Sequence, residues 1–178
     1  MHLTKLPCQP MGPQPAFESD ELEQFVSAPR IATLAYTKRD NTPAMVPIWY
    51  RYENGRFVML SSRRSAKAKA LARAGTACLS IKDDTPPYRA LVIDGTVTVT
   101  DEPPDTELHP WLATHYFGRL GAAEFLKQSA KEYGTAGMSR ITIDPTRLRG
   151  FDLHKELSRP ALLFMRLRDA LPIPKAWL

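Results

Sequence analysis

The chain of 178 residues is poor in the features that announce most enzyme classes. It has two cysteines, Cys8 in a proline-rich stretch and Cys78 in an apolar run, too few for a disulfide framework. Such sparing use of cysteine points to a reducing compartment and a cytoplasmic location. No hydrophobic run is long enough to cross a bilayer, and Met1 to Pro15, with prolines at 7, 10, 13 and 15, is neither a secretory signal nor a span. There is no G-x-G-x-x-G, no Walker A loop, no G-x-S-x-G and no close Cys/His cluster for a metal. His109 and His115 lie six apart without a cysteine and read as surface histidines beside a helix; Trp49 and Trp111 read as packing residues. No internal repeat or low-complexity tract is present.

What is present is an ordinary globular composition, 43% hydrophobic and 9% aromatic, in a length that fits one domain. The net charge of +5 favours an acidic partner without choosing among nucleotide cofactor, nucleic acid and anionic lipid. Nucleic acid fits least, because Arg63, Arg64, Lys67, Lys69 and Arg73 lack the interleaved aromatics of a single-strand groove.

The segment Ser61 to Leu71 crowds Arg63, Arg64, Lys67 and Lys69 around the start of a helix, where the backbone already carries partial positive charge and unpaired N–H groups. Ser65 is the expected N-cap, Ala66 to Ala74 are good helix formers, and Gly75 sits where a C-terminal stop belongs. Preceded by the strand-like Arg56 to Ser61, this unit aims N–H groups, the hydroxyls of Ser61 and Ser62, and several cations at one point. A bound phosphate answers that arrangement; four cations extended into solvent is the alternative.

The rest reads as mainly antiparallel β. Asp20 and Glu23 have capping-box spacing and open a helix running to about Ala28. Arg30 to Thr37 is a strand, and Pro43 to Tyr52 a second whose Pro47 puts it at an edge, at a bulge or beside a site. Asn54-Gly55 predicts a tight hairpin into Arg56 to Ser61. Thr76 to Ile81 and Tyr88 to Thr100 follow as strands, with Gly95 a bulge or bend. Asp105 to Lys131 is helical and broken near Gly118 and Gly121, and Ser139 to Asp144 and Arg147 to Leu153 close the body. This order fits a small closed or partly closed barrel with peripheral helices. Three parts are expected: an arm over 1–18 read as flexible, a cofactor-binding barrel over 19–157, and a tail over 158–178. The tail reads as a docked helix, an arm exchanged with a partner, or a membrane-surface segment.

Arg30-Ile31-Ala32-Thr33-Leu34-Ala35, Pro43 to Tyr50, Ser61 to Leu71, Pro86-Pro87-Tyr88-Arg89, Asp94-Gly95 and Arg140 to Pro145 together resemble the split-barrel flavoproteins related to pyridoxamine 5'-phosphate oxidase, over roughly Glu21 to Leu153. The resemblance implies a split β-barrel and a homodimer holding flavin (FMN) or the deazaflavin coenzyme F420 at its interface. It implies that Met45, Val46, Pro47, Ile48 and Trp49 run beside the ring and that Ser61, Ser62 and Lys67 hold phosphate. Electrostatics adds Arg63, Arg64 and Lys69, and Ser65, the expected N-cap, is counted with them. Ala66 stands where the oxidase has an arginine, Ala90 where it has a glutamine, and its C-terminal Arg-x-His is missing. These departures point toward the F420-using oxidoreductases and hydride transfer to a small planar electrophile, with a hydroxyl, a water or Tyr88 as proton donor. An FMN-binding oxidoreductase and a non-catalytic flavin or haem carrier are the alternatives. From the residues themselves, no membrane and no nucleic-acid partner are expected.

Overall fold

The computed structural model describes residue 3 and residues 6–13, 16–103, 106–133 and 137–170. Its elements in chain order are β1 (Cys8–Pro10), α1 (Ser19–Ser27), β2 (Ala32–Thr37), β3 (Pro43–Ile48), β4 (Arg51–Glu53), β5 (Arg56–Ser62), α2 (Ala66–Ala74), β6 (Thr76–Lys82), β7 (Arg89–Glu102), α3 (Leu108–Tyr133), β8 (Met138–Asp152), a 3₁₀ turn (Leu153–Lys155) and α4 (Arg159–Ala170).

Seven strands form the path β3-β2-β6-β7-β8-β5-β4, every neighbouring pair antiparallel, and β1 joins β8 in parallel. β3 and β4 are the two ends of that path, yet only Trp49 and Tyr50 separate them in the chain. A link that short reaches about 10 Å, so the sheet must curl until its edges nearly meet. The result is the split barrel expected from the strand order, with the split at Trp49-Tyr50. Alternate residues of the long strands fill the interior; Leu34, Phe57, Met59, Leu79, Ile81, Leu91, Ile93, Ile141, Ile143 and Leu148 are fully buried.

The strand expected over Pro43 to Tyr52 is two strands. Tyr50 leaves the ladder because its backbone N–H donates to the Tyr116 hydroxyl at 3.2 Å rather than to a strand. Pro47 does lie on an edge strand, paired with Thr33, where a missing N–H leaves no gap. The hairpin turn has positive φ at both Asn54 (51°) and Gly55 (79°), as its sequence requires. Gly95 faces the bulge: its partner is Pro145 while Asp94 pairs with Arg147, so the extra residue is Thr146 on β8, and the two closing strands expected there are one. A Cβ on Gly95 would lie 2.5 Å from Ile143 Cγ2 and 2.6 Å from the Asp144 carbonyl oxygen.

The capping box of α1 lies two residues earlier than expected: the Glu18 N–H donates to Glu21 Oε2 at 3.0 Å, and the helix ends at Ser27. The arm read as flexible is tied down in its described part, since Cys8–Pro10 pair with Leu148–Gly150 and Leu3 and Phe17 are buried in the core. In the tail, α4 exposes Leu163, Phe164 and Leu167, and residues 171–178 lie outside the described residues. Among the described residues no helix is long and apolar enough to cross a membrane.

Candidate cofactor site

Helix α3 is folded back on itself. Gly118 takes φ 70° and ψ 173°, a conformation essentially reserved for glycine, and no helical residue can continue through it. The arms on either side meet, with Phe117 and Phe125 rings 5.2 Å apart and His109 Nε2 3.5 Å from Ser129 Oγ. Trp49, leaving β3 at the split, enters this hairpin. It stacks on Tyr116 at 5.1 Å and 9°, and meets Phe117 edge-on at 4.9 Å and Phe125 at 5.1 Å.

Between this aromatic cluster and the start of α2 lies a cleft of about 710 Å³. Val46, Pro47, Ile48 and Trp49 line one side, and Ser61, Ser62, Ser65 and Lys67 supply polar groups. The local chemistry of α2 is as its sequence dictates. Ser65 caps it, accepting from the Ala68 N–H at 3.0 Å, and Gly75 stops it at φ 67°, its N–H donating to the Leu71 carbonyl. The Ser61 and Ser65 hydroxyls are 2.9 Å apart. The N–H groups of Ala66 and Lys67 belong to the first turn, where a helix offers them no acceptor. Lys67 is half-buried, burial pushes its ammonium below the ordinary lysine range, and among the described residues no carboxylate pairs with it. Among the described residues no aspartate or glutamate lines the cleft.

Eight of the twelve residues expected at the site therefore converge on one cleft: Val46, Pro47, Ile48, Trp49, Ser61, Ser62, Ser65 and Lys67. Four do not line it. Met45, on the edge strand β3, is 69% exposed. Arg63 is drawn aside by Asp101, Nε to Oδ1 2.9 Å, an acid contributed by the distant β7. Arg64 and Lys69 are exposed and point off the cleft. The crowd of cations resolves into one lysine facing inward.

The sequence reading missed Ile31, Leu60, Ala66, His109, Leu112, Phe125 and Met138. His109, expected at the surface, is half-buried in the cleft wall, and burial lowers its pKa. Leu112 and Phe125 belong to an ordinary apolar helix pattern, and only the reversal at Gly118 brings both arms to the cleft. His115 keeps to the other side, stacked on Trp111 at 4.5 Å.

The roof is fastened to the barrel at two points. The Tyr116 hydroxyl bridges the split, and Glu102, fully buried at the end of β7, forms a double hydrogen bond with Arg140 (2.6 and 2.9 Å). Arg140 also reaches Thr106 Oγ1 at 3.5 Å, and that oxygen accepts from the Leu108 N–H at 3.3 Å at the start of α3. Burial raises the Glu102 carboxyl, but the Arg140 and Thr106 hydrogen bonds outweigh it and hold the pKa below the ordinary value.

The cleft thus has an apolar, aromatic-walled part and a cationic part at a capped helix start, which suits a flat ring carrying a phosphate. Among the described residues no cluster of three or more His, Cys, Asp or Glu could hold a metal.

Known proteins agree with this fold. A conserved hypothetical protein of Mycobacterium tuberculosis superposes with a TM-score of 0.69 at 20% identity, over 85% of this chain and 94% of that one. An FAD-binding protein of Mesorhizobium loti gives 0.51 at 17%, over 75% and 94%, and an F420 reductase gives 0.50 at 19%, over 71% and 94%. No curated protein sequence matches. The family model for pyridoxamine 5'-phosphate oxidase matches residues 19–151, which hold the barrel, the α2 helix start and the α3 roof. On that match, the chain belongs to the pyridoxamine 5'-phosphate oxidase family.

Proposed function

We propose that the protein is a flavin- or deazaflavin-dependent oxidoreductase that transfers hydride from reduced coenzyme F420 to a small planar electrophile. The observation that carries the reading is Lys67, paired with no carboxylate among the described residues and sharing one apolar cleft with the capped start of α2. Ser61, Ser62, Lys67 and the first N–H groups of α2 would hold the phosphate, and Val46 to Trp49 would lie along the ring. The bound cofactor supplies the hydride chemistry. This chain's residues bind, orient and exclude water: Trp49, Leu112 and Phe125 wall off the apolar part.

The preference for the deazaflavin draws on the basic surface, net +5, which suits an acidic cofactor tail, and on the departures at Ala66 and Ala90 from the oxidase pattern. FMN in the same cleft is the second reading, favoured by the likeness in fold to an FAD-binding protein. A homodimer is part of the proposal. β3 is an open edge on which Met45 is exposed, and Ile31 is exposed at the cleft; a second copy would cover these apolar side chains.

The test of the reaction is oxidation of reduced F420 by the purified protein when α,β-unsaturated carbonyl compounds are added, followed by the absorbance of the oxidised ring. Turnover with F420 supports the reading. Binding without turnover across such a panel would leave a carrier.

A further inference from the structure

Besides Lys67, one other ionisable side chain lines the described cleft, His109. It sits at the start of the first arm of α3, and Ser129 from the second arm meets its ring, Oγ to Nε2 3.5 Å. Ser129 is buried, and its hydroxyl donates to the Leu126 carbonyl at 3.2 Å. With its one proton directed there, Ser129 Oγ meets the imidazole as an acceptor. The tautomer this arrangement favours carries the ring proton on Nε2 and leaves the Nδ1 lone pair free. Phe125 packs edge-on at 5.9 Å, and Ile31, Trp49 and Leu112 give the neighbouring wall no polar side-chain atom beyond the indole N–H. No carboxylate among the lining residues favours the imidazolium, and burial disfavours it. An apolar pocket fixes a ligand's orientation through a few such polar groups.

We propose that His109 is a specificity contact of the cleft, its neutral imidazole accepting at Nδ1 a hydrogen bond from a ring N–H of the planar heterocycle bound there. The assignment rests on the cofactor reading above and names the group that orients the ring. Both flavins and deazaflavins carry an imide N–H, so His109 fixes orientation without separating the two.

The test compares FMN and coenzyme F420 affinities of the wild type, His109→Phe and His109→Gln by fluorescence titration at pH 8 and at a pH below the His109 pKa. The side chain is followed by ¹⁵N NMR in parallel. At pH 8 the wild type should bind about tenfold more tightly than His109→Phe, with His109→Gln in between through its amide oxygen. At the acidic pH the imidazolium has no acceptor, and the wild-type advantage over His109→Phe should vanish. Taking the ratio to His109→Phe removes the ligand's own phosphate titration. The Nδ1 resonance should be that of an unprotonated nitrogen and should shift on FMN addition.

A ratio unchanged with pH, a wild-type advantage that grows in acid, or an unmoved Nδ1 resonance would overturn the His109 assignment while leaving the cofactor site intact. Wild-type protein that binds neither FMN nor F420 would overturn the cofactor reading and this assignment together.

Discussion

The Tyr116 hydroxyl accepts a hydrogen bond from the Tyr50 backbone N–H at 3.2 Å, at the point where the barrel is split. Its own proton lies between two carbonyl oxygens, Arg30 at 3.0 Å and Tyr50 at 3.2 Å, so one phenol satisfies backbone groups that no strand reaches. The same ring stacks on Trp49, which lines the cleft. The hydroxyl that closes the fold thereby positions the aromatic wall of the site. Burial pushes Tyr116 up to about 12, which keeps it a donor across the physiological range.

Tyr116→Phe should destabilise the protein by about 1–3 kcal/mol, because it strands half-buried backbone groups while leaving the ring stack in place. Urea unfolding followed by tryptophan fluorescence measures it. A midpoint equal to wild type would mean that solvent, rather than the phenol, satisfies Tyr50.

Lys67→Ala should lose about 1.5–3 kcal/mol of affinity for a phosphate-bearing cofactor, the range of a hydrogen bond to a charged group. Arg64→Ala and Lys69→Ala, exposed and off the cleft, should lose far less, and calorimetric titration of the three variants separates them. Equal losses would point to a diffuse field in place of a built contact.

Gly118→Ala should cost about 1–3 kcal/mol, the penalty for holding a non-glycine residue in this backbone region. A Cβ there meets nothing within 4 Å, so the cost is conformational and not steric. Because the reversal brings His109 and Phe125 to one cleft, ligand affinity should fall with stability. Thermal melts with and without FMN read both.

The Glu102–Arg140 pair gives a pH dependence of known sign. The Glu102 pKa is held below its ordinary 4.5 in the folded state, so its contribution is fully present above 4.5 and is lost as pH falls through the lowered value. Stability of the wild type should therefore drop more steeply below pH 4.5 than that of Glu102→Gln, which forgoes the charge at every pH. Urea midpoints from pH 3 to 7 give the comparison, and parallel curves would contradict it.

Much of the barrel could be read from the chain because its signals are local. Asn54-Gly55 dictates its turn, Ser65 and Gly75 bound α2, and strand alternation marks the buried face. The polar part of the site was legible for the same reason, since Ser61 to Lys67 are consecutive. The remainder depends on distant partners. Asp101 removes Arg63 from the site from another strand, and no spacing near Arg63 foretells it. Tyr116 ends the strand expected through Tyr50 from 66 residues away. His109 looked like a surface residue because its burial requires α3 to reverse at Gly118. That break was visible in the sequence, but the direction in which it folds the arms is not.

The central claim is that Lys67 and the start of α2 hold the phosphate of a ring cofactor whose flat part occupies the neighbouring apolar cleft. Side-by-side fluorescence titration of wild type and Lys67→Ala with FMN and with coenzyme F420, at moderate salt, tests it most directly. The account predicts saturable wild-type binding, tighter for F420, with the affinity reduced in Lys67→Ala by the 1.5–3 kcal/mol given above. Binding of neither cofactor by the wild type, or equal affinity of wild type and Lys67→Ala, would contradict it.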